Sequence, residues 1–378
     1  MALRPLRGLR KNGSEGPSGD GTTASAVRPA HPPATSRWLF LRKDGRLSAY
    51  AATEGGLLCW AESRPGGPAW DPPRFVPVRD VAHVAFAQGA DGYVHLVAPR
   101  GAARGDDRAD AGISHATQYQ TGRRTTRWHS IGRPFADTEH AGGLGQPAAT
   151  VGHDGSLYVL SLSAGGRACL RAEKRDGRWA DWVELPGDGG HRSLAACTTA
   201  SRIVHALGVG DDKVEHWAQP GPGARIAPCD AFPVRLVGGS MTPLETAPER
   251  LSLYGTDAGT GELVVHRPGG DTVALGLTPS GSPPAVLRTL VDGHDRTVLA
   301  VRDRDGRVRV AAFPTGAEEA GVDWVPTGEP GLGAPALASD GHGRVVVATV
   351  AADGGLRVSR GTIGAGLALE PWTRAAPN

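Results

Sequence analysis

The sequence predicts an all-β protein, a seven-bladed β-propeller of four-stranded antiparallel blades. Apolar and polar residues alternate in short runs between Gly-rich turns, which is typical of half-buried antiparallel strands. The run at residues 46–53 (RLSAYAAT) recurs six times, with starts at residues 93, 157, 202, 250, 296 and 344. Five of the six steps are 45 to 48 residues long. Four strands repeated with a period in the mid-forties indicate a propeller, and seven copies indicate seven blades.

The other strands of the unit repeat as well. A second alternating run follows the first after a turn, as in residues 57–63 (LLCWAES), and a run of small residues precedes the pair, as in residues 335–339 (PALAS). Small residues suit the innermost strand, where the blades crowd around the axis. The one long step contains residues 101–112, which we expect to form a surface loop. Five copies carry a tryptophan that we expect to pack between blades: Trp70, Trp128, Trp182, Trp324 and Trp372.

The chain divides into a tail and one repeat domain. Residues 1–35 are rich in Gly, Ser, Pro and Thr, and this composition predicts a disordered N-terminal tail. Residues 36–378 form the predicted propeller, in which each blade is complete in one pass of the chain and the ring closes without a swapped strand. The sequence shows no apolar segment that fits a secretory signal and no apolar run long enough to span a bilayer. We therefore expect a cytoplasmic protein without a membrane partner.

Charge and motifs exclude several function classes. The chain has 41 basic and 39 acidic residues and a net charge of +2, without a basic stripe, so we expect no nucleic-acid partner. The basic residues are nearly all arginine, which suggests a high-GC genome such as that of an actinobacterium. The sequence contains no G-x-S-x-G, H-E-x-x-H or Gly-rich phosphate loop. We therefore expect no cofactor and no metal, and we interpret Asp303-Arg-Asp305-Gly306 as a hairpin turn.

The four cysteines do not form a metal or redox motif. Cys59, Cys169, Cys197 and Cys229 lack CxxC spacing and a partner cluster of histidines. We interpret them as free, small, buried apolar residues, since cysteine is among the most buried residue types.

Several blades carry a recognisable repeat motif. Blade 1 has Asp44-Gly45-Arg46-Leu47 followed by Leu58-Cys59-Trp60, and blade 4 has His216-Trp217-Ala218-Gln219. Over about residues 37–376 the chain resembles the seven-bladed bacterial lectins of the PLL-like type, relatives of the tectonins. The resemblance implies sugar binding in clefts between adjacent blades, with aromatic rings against sugar C–H faces and Arg, His or Gln on the hydroxyls.

The chain departs from that repeat at the position of its second aromatic residue. This position on the third strand holds Ala61, Thr117, Ala172 and Ala218 in blades 1 to 4, and the rings of Trp60 and Trp217 lie one position earlier. A one-residue shift along a strand moves a side chain to the opposite face. We therefore expect one or two competent clefts, in blades 1 to 4.

Seven residues are the candidate ligand-binding set. The candidate stacking rings are Trp60, Trp179 and Trp217. The candidate hydrogen-bonding groups are His115, Gln118, His216 and Gln219. Each has a structural alternative: the rings can pack inside the propeller, and the histidines can bond a neighbouring blade. The column of polar residues that Gln118 and Gln219 share with Glu62 and Glu173 can satisfy turn backbone.

The leading functional hypothesis is a non-enzymatic carbohydrate-binding protein whose ligand is a glycan or another small molecule. The first alternative is a cofactor-independent biosynthetic enzyme, a cyclase or lyase, with an axial pocket. Its candidate lining residues are His83, His95, His153, His205 and Arg288. The second alternative is a protein-interaction scaffold. Two or more titratable groups converging on the axis would favour an enzyme, whereas aromatic clefts at the rim would favour a lectin.

Overall fold

The protein is a seven-bladed propeller, as predicted. The computed structural model describes residues 29–78, 83–100, 112–134, 145–163, 165–362 and 366–375. Seven antiparallel sheets are present, and each consists of four strands that are consecutive in the chain. No blade among the described residues therefore borrows a strand from the other end of the chain. Most of the predicted loop at residues 101–112 lies outside the described residues.

Within the described ranges there are 28 strands, which follow one another from the axis to the rim in every blade. Blades 1 to 3 contain β1 (Leu39–Leu41), β2 (Leu47–Thr53), β3 (Gly56–Ala61), β4 (Arg74–Pro77); β5 (Ala85–Gln88), β6 (Val94–Arg100), β7 (Gly112–Gln118), β8 (His129–Ser130); β9 (Ala148–Val151), β10 (Leu157–Leu162), β11 (Ala168–Ala172), β12 (Val183–Glu184). Blades 4 and 5 contain β13 (Ser193–Thr198), β14 (Val204–Val209), β15 (Val214–Ala218), β16 (Ala227–Phe232); β17 (Thr242–Ala247), β18 (Arg250–Thr256), β19 (Leu263–His266), β20 (Thr272–Ala274). Blades 6 and 7 contain β21 (Ala285–Val291), β22 (His294–Arg302), β23 (Arg307–Pro314), β24 (Val325–Pro330); β25 (Leu332–Ser339), β26 (Val345–Val350), β27 (Leu356–Arg360), β28 (Thr373–Arg374).

Aspartate and glycine fix the hairpin turns. In blade 1 an oxygen of Asp44 accepts a hydrogen bond from the backbone N–H of Arg46 (3.2 Å), and Gly45 adopts a positive φ of 77°. The predicted turn at Asp303 has the same construction, because Asp303 accepts from the N–H groups of Asp305 and Arg307. Such a carboxylate stabilises a tight turn locally and thereby sets the register of the strands that it joins.

The innermost strands surround the axis, and the apolar cores lie between blades. The strand β5 contacts β9, β9 contacts β13, and this succession continues through β25 to β1. Buried alanines such as Ala149 and Ala336 allow these strands to approach each other closely. Because each blade is packed between two others, both of its faces are buried.

A segment before the first blade helps to close the ring. Ala30 pairs with Thr53 of blade 1, while its N–H donates to the carbonyl of Gly354 in blade 7 (3.3 Å). The indole N–H of the fully buried Trp38 donates to the carbonyl of Ala334 (3.0 Å), which also lies in blade 7. The described segment that precedes the first blade therefore packs against both blade 1 and blade 7. The predicted tail at residues 1–28 lies outside the described residues.

The tryptophans that follow the repeat join neighbouring blades. The indole N–H of Trp182 in blade 3 donates to the carbonyl of Ile131 in blade 2 (3.2 Å). Trp324 in blade 6 makes the same bond to Leu275 in blade 5 (2.7 Å). The predicted packing role is thus confirmed for these two residues. Among the described residues, no helix has the length and apolar character needed to cross a bilayer.

Candidate functional site

Two of the predicted stacking rings are in the interior. Trp60 is 3% exposed and Trp217 is 1% exposed, and the indole N–H of Trp217 donates to the carbonyl of Pro186 (2.7 Å). A sugar can stack only on a ring face that it can reach. The prediction treated one face of the strand as solvent-exposed, whereas both faces of a blade are covered by neighbouring blades. The structure therefore presents neither ring to a ligand.

The predicted glutamines satisfy backbone groups instead of lining an open site. The side-chain oxygen of Gln219 accepts from the N–H of Val204 (3.1 Å), and Glu62 accepts from the N–H of Leu47 in the same way (2.8 Å). The amide of Gln118 donates to the carbonyl of Arg123 (2.7 Å). All three side chains are buried, because they bond to hairpin backbone that the adjacent blade covers. These polar side chains therefore bond to hairpin backbone, which is the role that the sequence analysis gave as the alternative to ligand binding.

His115 is the middle ring of a chain of three histidines in blade 2. Its Nε2 lies 3.0 Å from Nδ1 of His95, and its Nδ1 lies 3.3 Å from Nε2 of His129. His115 is buried, whereas His129 on β8 is exposed. Burial, reinforced by the two neighbouring imidazoles, lowers the pKa of His115 to about 3. The three rings therefore form a hydrogen-bonded chain that runs from the blade interior to the rim, and its middle ring is held in the neutral form.

The outer end of this chain faces blade 3. The ring centroid of Trp179 lies 5.7 Å from that of His115, in an edge-on arrangement. Trp179 is half-buried and pairs through its backbone with Glu173. Burial raises the pKa of the Glu173 carboxyl, and the nearby His129 opposes that shift. Of the seven predicted residues, His115 and Trp179 therefore meet at the boundary of blades 2 and 3, where Trp179 is half-buried and His129 is exposed.

His216 has the same arrangement two blades away. Its Nε2 lies 2.9 Å from Nδ1 of His205, and the rings are nearly parallel, at 9°. Burial and the adjacent His205 lower the pKa of His216 to about 4. The two histidine pairs occupy alternate blades, so they do not converge on one site. No group of three or more His, Cys, Asp or Glu side chains within the described ranges is arranged to hold a metal ion.

One open cleft between blades lies between blades 6 and 7. It has a volume of about 640 Å³ and is bordered by the half-buried ring of Trp372, by the carboxylates of Asp323 and Glu370, and by apolar side chains. One of these, Val325, is 53% exposed. Unlike Trp182 and Trp324, Trp372 donates no hydrogen bond from its indole N–H within the described part of the chain.

One residue position explains why this cleft is open. In each of four blades, one buried aliphatic residue directly follows the last regular pair of the fourth strand and fills the space between two blades. We call this residue the plug, and in these blades it is Ile131, Leu185, Leu275 or Ala375. In blade 6 this position is held by Thr327, whose hydroxyl donates to the carbonyl of Val308 (2.8 Å). The pairing of β23 with β24 also shifts register here. An aliphatic plug is therefore missing where the cavity lies.

The sequence prediction treated Trp372 as a packing residue, and its ring does pack against the core between blades 6 and 7. Competent clefts in blades 1 to 4 stay a prediction, and the sequence analysis did not single out the cleft between blades 6 and 7. The available signal was the change from an aliphatic residue to the Pro326-Thr327-Gly328 sequence at the plug position. That signal is not visible until the outer strands are aligned, because they are short and differ in length between blades.

A second cavity, of about 850 Å³, opens along the axis. Its lining includes Arg37, Glu245, Arg288 and Asp295. The predicted axial location of Arg288 is thus confirmed, and a bidentate ion pair holds it to Asp295 (2.6 to 3.0 Å).

The four histidines predicted for the axis are not among the residues that line this cavity. His95 and His205 point into the interiors of blades 2 and 4, where they bond to other histidines. His83 is exposed just before β5, and His153 lies beside Gly223 at the boundary of blades 3 and 4. Second-strand and turn residues lie farther from the axis than the pattern alone indicated, because only the first strand of each blade borders the channel.

Comparisons with known proteins identify relatives by fold. No protein-family model and no curated protein matches the chain. Among solved structures, the BP39L lectin from Burkholderia pseudomallei superposes with a TM-score of 0.64 at 16% identity, covering 93% of this chain and all of that one. A polysaccharide lyase of family PL25, an ulvan lyase, gives 0.53 at 11% identity, with coverages of 89% and 94%. A protein of unknown function from Dyadobacter fermentans gives 0.50 at 13% identity, with coverages of 76% and 93%. At these identities the chain shares the β-propeller fold of these proteins, including that of a bacterial propeller lectin, as the repeat motif predicted.

Proposed function

We propose that this protein binds carbohydrate and that its principal site is the cleft between blades 6 and 7. The observation that carries the proposal is an open inter-blade cleft that combines a tryptophan ring, Trp372, with two exposed carboxylates, Asp323 and Glu370. The lectin that shares the fold supports the class of ligand, and the cleft supports the location.

The chemistry of the cleft suits a sugar. A pyranose has apolar C–H faces that pack against an aromatic ring, and the Trp372 ring with Val325 and Leu369 supplies such a surface. Hydroxyl groups donate strong hydrogen bonds to carboxylates, and Asp323 and Glu370 are acceptors on the same cleft. The free indole N–H of Trp372 is a donor for a sugar oxygen. A volume of about 640 Å³ accommodates one or two sugar rings, since small-molecule sites span roughly 300–1,000 Å³.

The cleft between blades 2 and 3 is the second proposed site. It retains the accessible ring of Trp179 and the exposed imidazole of His129, and the predicted His115 supports that imidazole from behind. The buried Trp60, Gln118, Trp217 and Gln219 support the blades and are not part of this proposal. His216 stays a prediction, as do a cytoplasmic location, an enzymatic use of the axial cavity and a scaffold role.

The proposal is tested with a glycan array on the purified full chain, followed by calorimetric titration of the best hit. Trp372→Ala should weaken binding by about tenfold or more, since it removes the stacking surface. Thr327→Leu should have a similar effect, because it restores the plug that Leu275 provides in blade 5. Val237→Ala is the control, since Val237 is an exposed apolar residue (36%) that does not border this cleft.

Three outcomes separate the parts of the proposal. A blank array would refute carbohydrate binding itself. Binding that survives both Trp372→Ala and Thr327→Leu but is lost in Trp179→Ala would move the principal site to the cleft between blades 2 and 3. A stoichiometry of two, with one site lost in each tryptophan variant, would support both clefts.

A further inference from the structure

The axial cavity contains an arginine without an acidic partner. The guanidinium of Arg37 lies where the wide axial cavity meets a smaller one of about 100 Å³, and it borders both. Its Nη1 donates to the carbonyl of Ala196 (3.1 Å), and no carboxylate of the described residues lies within ion-pair distance. Surrounding protein atoms displace water from the group and lower the pKa of Arg37. A partly desolvated guanidinium with unused N–H donors is a site for an anion.

The other arginine of the cavity is already neutralised. Arg288 holds Asp295 through three contacts of 2.6 to 3.0 Å, and each residue has the other as its ion-pair partner. An incoming anion would have to compete with that carboxylate at Arg288, whereas it would meet no competitor at Arg37. The anion site is therefore at Arg37 and not at Arg288.

Glu245 provides an acceptor without a donor. Its Oε2 accepts a hydrogen bond from the N–H of Ala200, while its Oε1 is buried and lacks a hydrogen-bond partner. A buried carboxylate oxygen without a donor costs free energy that a ligand can recover. The same cavity is thus lined by a charged donor group, Arg37 just before β1, and by an unused acceptor, Glu245 on β17.

The remaining wall is largely aliphatic. Leu244, Leu287 and Leu337 line the cavity, and two further leucines lie at its mouth, Leu41 at 36% exposure and Leu290 at 64%. Large apolar side chains that remain exposed beside a cavity mark a surface that binds apolar groups. Polyhydroxylated sugars suit such a wall less well than an aliphatic chain does.

We propose that the axial cavity binds a small aliphatic amino acid or hydroxy acid. The ligand's carboxylate pairs with Arg37, its ammonium or hydroxyl group donates to Oε1 of Glu245, and its aliphatic chain lies against the leucines toward the mouth. The cavity volume of about 850 Å³ lies within the range of small-molecule sites. This site is on the axis, so it is separate from the carbohydrate clefts at the rim.

The test uses L-leucine and three compounds that each lack one group or exchange it. Leucine is compared with 2-hydroxy-4-methylpentanoate, which exchanges the amine for a hydroxyl, with 4-methylpentanoate, which lacks the donor, and with isopentylamine, which lacks the carboxylate. Binding to the full chain is measured by saturation-transfer NMR and calorimetry. We expect leucine or the hydroxy acid to bind at least tenfold more tightly than the compounds that lack one group.

Variants assign each ligand group to its residue. Arg37→Gln should weaken leucine binding by about ten- to hundredfold and leave isopentylamine unchanged. Glu245→Gln should weaken leucine more than 4-methylpentanoate. Arg175→Gln is the matched control, since Arg175 is a surface arginine that is 79% exposed. Equal affinities of all four compounds, or equal losses in the two cavity variants for every compound, would overturn the proposal.

A variant at the mouth keeps the test valid if Arg37→Gln does not fold. Leu290 is 64% exposed, so Leu290→Glu should preserve the fold while it places a negative charge on the path of the carboxylate. It should weaken leucine binding severalfold relative to Leu290→Gln, and glycan binding should be unaffected. Absence of binding by both leucine and the hydroxy acid to the wild-type protein would refute the axial site and leave the carbohydrate proposal standing.

Discussion

The buried histidines should make the propeller sensitive to mild acid. In the unfolded chain a histidine titrates with a pKa near 6.5, whereas in the folded protein the pKa is about 3 for His115 and about 4 for His216. Between these values the unfolded state binds more protons than the folded state. The free energy of unfolding therefore falls as the pH falls from about 6.5 toward 4.

The magnitude follows from the two pKa values of each residue. At pH 5 a free histidine is protonated about thirtyfold more often than it is neutral, so excluding that proton costs about 2 kcal/mol for each buried ring. His115 and His216 together should lower the free energy of unfolding by about 4 kcal/mol between pH 7.5 and pH 5. Burial also lowers the pKa of His95 and His205, which acts in the same direction. The paired aspartates lose their contribution only at more acidic pH, because their pKa values lie below the ordinary value of 3.8.

The measurement is urea denaturation at pH 7.5 and pH 5, followed by tryptophan fluorescence. The variant carries His115→Leu and His216→Leu, and Leu170 already occupies the equivalent position in blade 3, opposite Leu160. Its stability should depend on pH by about 4 kcal/mol less than that of the wild type. His83→Gln is the control, since His83 is exposed. If the double variant and the wild type lose the same stability at pH 5, the buried histidines do not cause the acid sensitivity.

Two further predictions concern burial. Glu62→Ala should lower the free energy of unfolding by about 3–5 kcal/mol, because it leaves Arg360, which lies 2.5 Å away across the junction of blades 1 and 7, as a buried charge without its nearest partner. Urea denaturation measures this loss. Glu184→Ala is the control, since Glu184 forms an exposed ion pair and its loss should cost under about 1 kcal/mol. In thiol labelling of the native protein, the exposed Cys229 should react first, whereas burial raises the pKa of Cys59 to about 12 and keeps that thiol unreactive; a fast phase that persists in Cys229→Ser would contradict this order.

The fold could be predicted because its signals are local and repeated. Alternation along each strand and an Asp–Gly turn such as Asp44-Gly45 depend on a few neighbouring residues, and seven copies reinforce each other. Even the polar column was partly predictable, since Glu62 and Gln219 lie where a hairpin leaves an N–H group to satisfy. The contacts of Ala30 could not be predicted in this way, because its partners in blades 1 and 7 are far away in sequence.

The candidate site was less predictable, because it is formed by two blades at once. Whether a ring such as Trp60 or Trp179 is reachable depends on the blade beside it, and the two residues look alike in sequence. Trp60 is buried, whereas Trp179 is half-buried and contacts His115, the ring that also contacts the exposed His129. The alternation of apolar and polar residues shows which face of a strand a side chain is on. It does not show whether a neighbouring blade covers that face.

The departures from the repeat indicate where ligands bind. The indole N–H groups of Trp182 and Trp324 donate to backbone carbonyls of the neighbouring blade, whereas those of Trp70 and Trp128 are buried without a hydrogen-bond partner. An unused indole N–H therefore does not by itself mark a binding site. Trp372 borders a cavity, and Thr327 stands there in place of the aliphatic plug. Substituting Thr327 by leucine tests this point: if the leucine closes the cleft and glycan binding is lost, binding capacity in this propeller arises where its repeat is broken.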